Sequence, residues 1–279
     1  MGNISKNMGL VRVHGVDAVP FLQGQLSNDM SLLKADRPLL AGYHNPQGRV
    51  IAVLWLLQPA PDEIVALLPT ELTTPVAARL SRFVLRSKVK VSAESTPAPQ
   101  ITALLDAVHT ANAGTRPLPA SNDQRLANIA AGLPQVYPAT CEAFVAQMLN
   151  LDVVGGISFE KGCYTGQEVI ARAHYRGRVK RRMQRFLTDG PAALAPGDTG
   201  TLADGRAFKV VEAARHADGR CEFLAVAPLV PGATAEADPD TYVGADTSVN
   251  IEAGADDPST PARTPLAVQS LPLPYSLPD

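Results

Sequence analysis

The pattern of apolar residues changes near Arg181, and this change limits the folds open to the chain more than any other feature. Before it, strand-like and helix-like segments alternate, which indicates a mixed α/β region. After it, short strand-like runs are separated by Gly, Asp and Pro turns, a spacing typical of a small antiparallel barrel. We therefore predict an α+β protein in which residues 1–180 form an α/β region and residues 181–252 form a C-terminal β-barrel domain.

Three further segments have distinct compositions. Residues 111–122 are rich in Gly, Pro and Ala and are predicted to form a loop. Residues 253–265 contain no large apolar side chain, so we expect a flexible linker there. Residues 266–279 regain Leu, Val and Tyr, and this last segment is predicted to dock back on the body of the protein.

The composition is that of an ordinary globular protein. Of 279 residues, 46% are hydrophobic and 19% are charged, and the net charge is −2, whereas a protein devoted wholly to nucleic acid is more basic. The longest apolar run, residues 50–57, is too short to span a bilayer and is predicted to be a buried strand. The first residues lack the basic start and apolar core of a signal peptide, so we expect a cytoplasmic protein without membrane association.

The cysteines argue against a disulfide framework or a closed zinc site. Cys141, Cys163 and Cys221 lie far apart, with no C-x-x-C pair and no histidine at ligand spacing, which fits a reducing compartment. The glycine-rich phosphate-binding motifs, the G-x-S-x-G serine elbow and the H-E-x-x-H zinc helix are all missing from the sequence. Chemistry based on NAD, ATP or zinc is therefore not predicted.

The strongest functional signal surrounds one of these cysteines. It is the run Lys161-Gly162-Cys163-Tyr164-Thr165-Gly166-Gln167-Glu168, in which two glycines bracket the thiol and a lysine precedes it. Nearby positive charge stabilises a thiolate, and a helix beginning at Gln167 would aim backbone N–H groups at the same loop. The alternative is a small cysteine packed beneath a loop. Because polar residues crowd this one, we favour a functional thiol, and His174 is a candidate base for it.

Other polar residues allow two interpretations each. Residues 171–185 carry seven basic side chains and no acid, which indicates either a solvated face or a site for polyglutamate, phosphate or RNA. Only Tyr164 and Tyr175 interleave with them, so a platform for stacking nucleobases is not predicted. Gln25, Asn28 and Asp29 are candidates to line a pocket, but the Asn-Asp pair after a predicted helix is equally typical of capping. The run Asn45-Pro46-Gln47-Gly48 makes a turn under any interpretation.

These residues together resemble a known family. The run around Cys163, followed by Ala171-Arg172 and Arg176-Gly177, is similar to the signature of the YgfZ family, folate-binding relatives of the glycine-cleavage T-protein implicated in iron–sulfur cluster assembly and repair. Further support comes from three other runs: Gly15-Val16-Asp17-Ala18 with Phe21-Leu22-Gln23-Gly24-Gln25, Asn45-Pro46-Gln47-Gly48, and Leu273-Pro274-Tyr275-Ser276-Leu277. The resemblance covers nearly the whole chain.

The resemblance implies a T-protein-like architecture around a central channel that binds tetrahydrofolate. It implies Fe–S client enzymes or cluster carriers as partners, including enzymes that modify tRNA, and Cys163 as the central functional thiol with Lys161 and His174 beside it. No resident metal is predicted, although Cys163 is a candidate transient ligand of iron. The candidate folate-binding residues are Gln25, Asn28, Asn45, Gln47, Tyr164, Gln167, Glu168, Arg172 and Arg176.

Two alternatives come from other functional classes. One is a folate-dependent aminomethyl- or methyltransferase, but residues 49–53 lack the acidic side chain that T-proteins carry near there, so we do not predict a conventional enzyme. The other is an RNA-binding module that uses a strip of basic residues over 172–185. Its members are Arg172, Arg176, Arg178, Lys180, Arg181, Arg182 and Arg185.

Overall fold

The computed structural model describes residues 8–34, 37–94, 122–177, 179–229 and 266–278. Its first sheet has five strands in the order β2-β3-β4-β1-β5, and every pair in it is antiparallel. These strands are β1 (Met8–His14), β2 (Leu39–His44), β3 (Val50–Ala60), β4 (Glu63–Pro69) and β5 (Lys90–Glu94).

In the part of the chain that the structure describes, four α-helices accompany the sheets. They are α1 (Ala18–Gln23), α2 (Thr70–Ser81), α3 (Asn122–Ala130) and α4 (Gln167–Arg176). Short 3₁₀ turns occupy Met30–Leu32, Pro138–Thr140 and Ala146–Leu149. Within the described ranges, no helix is long and apolar enough to cross a bilayer.

The core of the first sheet lies at its centre. Residues 50–57 of β3 are all buried, which confirms the predicted buried strand, and Trp55 is among the largest fully buried side chains. Helix α2 buries Leu72, Val76 and Leu80, whose spacing of four residues forms one helical stripe. A run that is apolar without alternation has no polar face to expose, so it is stable only where both faces are covered.

The second sheet begins at Arg181, where the sequence pattern changes. Its order is β10-β6-β9-β8-β7, again antiparallel, and a separate core contains the packed rings of Phe186, Phe208 and Phe223. The strands are β6 (Arg181–Pro191), β7 (Thr199–Thr201), β8 (Ala207–Arg215), β9 (Arg220–Pro228) and β10 (Val268–Leu271). The prediction of an α+β protein is thus confirmed.

The predicted closure of this sheet into a barrel is not confirmed. Near the edge strands β7 and β10, the described residues record one isolated bridge, Leu202 to Leu266, rather than a continuous ladder. The predicted loop over 111–122 lies outside the described residues except for Asn122, which is the first residue of α3. The predicted linker over 253–265 also lies outside them.

Two sets of contacts join the parts of the fold. Glu212 on β8 accepts hydrogen bonds from Arg125 of α3 and from the hydroxyl group of Tyr137. At the C-terminal end, β10 pairs with β6, and the Tyr275 hydroxyl group donates to the carbonyl oxygen of Gly132 at 2.7 Å. A shallow cleft of 180 Å³ opens beside this segment, lined by Gln184, Arg185, Ser270, Leu271, Leu273, Tyr275 and Leu277.

Candidate functional site

The loop that carries Cys163 presents the thiol at the surface between two buried anchors. Gly162 and Cys163 are exposed, whereas Lys161 and Tyr164 are only 8% and 7% exposed. The Lys161 ammonium group lies 5.0 Å from the centre of the Tyr164 ring, so the two anchors also contact each other. Fixing both flanks holds the exposed pair in one place.

Lys161 is an anchor of this loop. Its Nζ donates to the carbonyl oxygens of Gln23 and Leu26, both at 2.6 Å, and to that of Asn28 at 3.0 Å. Burial lowers the pKa of Lys161 to about 8, with an opposing contribution from Asp29, so the ammonium form prevails at neutral pH. An ammonium group has three donors, and all three are used on this turn of backbone after α1.

The turn of residues 45–48, called the Asn45 turn below, packs directly against the start of α4. Gly166, the residue before α4, has a φ of 83°, and a Cβ built on it would lie 2.5 Å from the carbonyl oxygen of Asn45. A Cβ on Gly48, whose φ is 70°, would lie 3.1 Å from the Cβ of Val169. The structure therefore brings together two glycine-containing motifs that are more than a hundred residues apart in the sequence.

The side chains of several predicted ligand-binding residues already form hydrogen bonds within the protein. The Asn28 side-chain amide donates to the carbonyl oxygens of Leu40 and Gly155, and its Oδ1 accepts from the Asp29 N–H. Asn45 Oδ1 accepts from the N–H groups of Gln47 and Arg49. These side chains shape the backbone around the loop.

Two neighbouring side chains do have unmet hydrogen-bonding capacity within the described residues. Gln25 Oε1 is buried without a partner, and so are both ring nitrogens of His44, a residue that is 1% exposed. Burial lowers the pKa of His44 to about 3, so the ring is neutral. Its ring centre lies 6.2 Å from that of Tyr164. Sequence reasoning missed His44, whose one signal is its position directly before the Asn45 turn.

An aromatic cluster is built on the C-terminal half of α4. The Phe159 and His174 rings stack with centroids 3.8 Å apart and planes 15° apart, and Tyr175 lies edge-on to both at 6.0 and 4.7 Å. Tyr175 is 68% exposed. No hydrogen bond between Cys163 and His174 is present in the described part of the chain, so the geometry does not pair them as nucleophile and base. Sequence reasoning missed Phe159, which joins this cluster from outside the basic strip.

The basic strip over 172–185 is not one surface, which corrects the prediction that it is a single RNA-binding face. Arg182 is buried and forms a two-pronged ion pair with Asp152, at 3.0 and 2.9 Å. Arg185 bonds to Glu222 at 2.8 Å. Side chains on a strand alternate between the two faces of the sheet, so consecutive arginines of β6 cannot all face solvent.

The first turns of α4 carry the remaining candidates. Gln167 Oε1 accepts from the Tyr164 N–H at 3.3 Å, which ties the helix start to the loop. Glu168, Arg172 and Arg176 are exposed on α4, and Gln47 is exposed on the turn. Arg178 lies outside the described residues. Within the ranges described, no group of three His, Cys, Asp or Glu side chains is placed to hold a metal ion.

Comparison with solved structures establishes the fold. The chain is similar to the glycine cleavage system aminomethyltransferase T from Bartonella henselae, with a TM-score of 0.57 and 14% sequence identity over 81% of this chain and 77% of that one. At this identity the likeness concerns the fold alone. The predicted T-protein-like architecture is therefore confirmed at the level of the fold.

Comparison with curated sequences identifies the relatives, although no protein-family profile matches the chain. A Haemophilus influenzae protein whose name states no function is 31% identical over 195 residues, covering 63% of this chain and 70% of its own. The tRNA-modifying protein YgfZ of Edwardsiella ictaluri is 28% identical over 77% of this chain and 81% of its own. The tRNA-modifying protein YgfZ of Escherichia coli O157:H7 is 29% identical over 67% of this chain and 71% of its own. With these relatives, this fold and the run around Cys163, the chain belongs to the YgfZ family.

Proposed function

We propose that this protein binds a tetrahydrofolate and serves the assembly or repair of iron–sulfur clusters in certain enzymes, including ones that modify tRNA. Cys163 is the residue through which it acts. The name of the E. ictaluri and E. coli relatives, tRNA-modifying protein YgfZ, supports the connection to tRNA modification. The observation that carries the proposal is the exposed thiol held between two buried anchors.

The three cysteines differ in a way that singles out Cys163. Cys221 is buried and Cys141 is half-buried, and burial raises the pKa of each thiol, which disfavours the reactive thiolate. Cys163 is exposed on a loop whose flanks are fixed. An exposed free thiol is an oxidation hazard with no packing benefit, so its placement is best explained by chemistry or partner contact.

The residues near the loop fit a folate. A pterin ring offers several hydrogen-bond donors and acceptors, and Gln25 Oε1 and both His44 ring nitrogens are among the buried groups that lack a partner within the described residues. The exposed Arg172 and Arg176 are suited to the carboxylates of the folate tail. Asn28 and Asn45 would act indirectly, by shaping the backbone, and Tyr164, Gln167, Glu168 and Gln47 stay candidate contacts. Tetrahydrofolate, when bound, supplies a carrier for one-carbon units.

Two roles for the thiol follow from this placement. As a thiolate it would ligate an iron of a cluster in transit, or it would act as a nucleophile. In the second case it would take a one-carbon unit from a folate nitrogen, which leaves with a proton, or the outer sulfur of a persulfide, whose inner sulfur leaves as a thiolate. Fe–S client enzymes or cluster carriers are the proposed partners, and a cytoplasmic location is proposed with them.

We also propose a domain organisation for the chain. Residues 1–180 and 181–252 are the two domains, and residues 253–265 link the last segment to them. The bridge between Leu202 and Leu266 is proposed to reflect closure of the second sheet into a barrel.

Complementation tests the role of the thiol. In a strain lacking the gene, the wild-type protein is expected to restore the activity of Fe–S enzymes, and Cys163→Ala is expected to fail. Cys141→Ala is the matched control, since it removes a thiol that the proposal does not use. If Cys163→Ala restored these activities as well as the wild type, the thiol would have no such role.

Anaerobic calorimetry with tetrahydrofolate tests the ligand separately. The wild type and Cys163→Ala are both expected to bind, because the proposed folate contacts do not include the thiol, whereas the Arg172→Gln, Arg176→Gln double variant should bind more weakly. Absence of binding to the wild type would remove folate from the proposal. Turnover of an aminomethyl donor would instead favour the transferase alternative, which the missing acid over residues 49–53 argues against.

A further inference from the structure

We infer that the aromatic cluster on α4 binds an unpaired nucleotide of RNA, with the base stacked on Tyr175 and its phosphates held by Arg172 and Arg176. This inference adds a direct RNA partner to the proposed function. It uses the same helix that follows Cys163 and the two arginines that are also proposed to hold the folate tail, but RNA binding does not require bound folate.

The cluster is built on a fixed base. Phe159 is partly buried and packs against the main hydrophobic core, and its ring stacks on His174 with planes 15° apart. Tyr175 meets Phe159 and His174 edge-on, at interplanar angles of 71° and 79°. At 68% exposure, much of the Tyr175 side chain is open to solvent. The cluster is therefore already assembled in the absence of a ligand.

An open aromatic face beside cations is suited to a nucleotide. Every base has a planar face that stacks on an aromatic ring, and stacking tolerates any sequence. Arg172 and Arg176 are exposed and one helical turn apart, and Lys180 is exposed just beyond the helix. The carboxylates of Glu168, one turn before Arg172, and of Glu160, next to Phe159, are also exposed, so three cations stand against two acids here. Phosphates would meet a net positive surface.

Other occupants fit the cluster less well. A lipid surface is met by exposed aliphatic side chains, and no large aliphatic residue of α4 is exposed. Duplex RNA offers no open base face, so it would use the cations but not the ring. An unpaired nucleotide would contact both the cations and the Tyr175 ring. The relatives named tRNA-modifying protein favour a tRNA loop as the RNA that supplies this nucleotide.

Fluorescence anisotropy with a labelled single-stranded RNA, a tRNA and a matched RNA duplex tests the inference. The wild type should bind the first two more tightly than the duplex. Tyr175→Ala should weaken single-strand binding about tenfold, the effect of losing one stacked base, whereas Tyr175→Phe should keep it. Arg172→Gln should flatten the dependence of log affinity on log salt by about 0.7, the value for one phosphate contact on a single strand.

Two results would overturn the inference: equal RNA affinity of the wild type and Tyr175→Ala, or equal affinity for the strand and the duplex. Because Tyr175 is exposed, its substitution is not expected to unfold the protein, and a thermal melt checks this. Calorimetry of Tyr175→Ala with tetrahydrofolate separates the two proposals. Unchanged folate binding with weakened RNA binding supports the inference, and the reverse result would assign the cluster to folate.

Discussion

Gly166 lies against the carbonyl oxygen of Asn45 so closely that a Cβ at this position would stand 2.5 Å from it. The contact joins the start of α4 to the turn between β2 and β3. Gly162, on the other side of Cys163, has no heavy atom within 4 Å of the equivalent Cβ position. The two glycines of the motif therefore have different structural roles.

Gly166→Ala is expected to destabilise the protein. The positive φ costs about 1–3 kcal/mol for a residue with a side chain, and the clash with the Asn45 backbone adds to this. Gly162→Ala is the control, because neither a positive φ nor a near neighbour opposes it. Urea unfolding of both variants measures the difference. Equal stability of the two variants would mean that the loop does not depend on the Gly166 contact.

His44 is expected to make the protein sensitive to acid. Its pKa is about 3 in the folded protein, compared with an ordinary value of 6.5. When the pH falls below about 6.5, the His44 ring therefore binds a proton in the unfolded state but stays neutral in the folded state. Stability should fall over this window, by about 2 kcal/mol at about pH 5 from this residue alone. His44→Leu should lose that part of the pH dependence. Denaturation curves across this range measure it, and parallel curves for both proteins would contradict it.

Arg182→Gln is expected to be severe and Arg176→Gln mild. The first leaves the buried carboxylate of Asp152 without its partner, at a cost of about 3–5 kcal/mol. The second alters an exposed side chain, and such changes usually stay within about 0.5 kcal/mol. Chemical denaturation of the two variants compares them. A mild effect of Arg182→Gln would show that the ion pair contributes little.

Tyr275→Phe is expected to loosen the C-terminal segment. It removes the hydroxyl group that donates to the Gly132 carbonyl oxygen and accepts from Asn150 at 3.3 Å, a loss of about 1–2 kcal/mol. For a protein of this size, that lowers the melting temperature by roughly 2–8 °C. Tyr175→Phe removes an exposed hydroxyl group and serves as the control. Equal melting temperatures would exclude a stabilising role for the Tyr275 contact.

Local patterns in the sequence predicted much of the fold. The unbroken apolar run over 50–57 could be stable only in a strand covered on both faces, and β3 is such a strand. The turn residues after Arg181 likewise indicated short antiparallel strands, and β6 to β9 follow them. The run around Cys163 was recognisable because two glycines, a lysine and a thiol are adjacent in the chain.

What surrounds that run was decided by tertiary structure. Lys161 donates to Gln23, a residue 138 positions away, and no local pattern reports such a partner. The same holds for the buried pairing of Arg182, for Phe159 beneath His174, and for the unpaired nitrogens of His44. The sequence by itself determined which segments are strands, helices and turns, because burial periodicity and backbone conformation are local properties. Which polar groups are satisfied, buried or left free depends on how distant segments pack, and only the folded chain settles that.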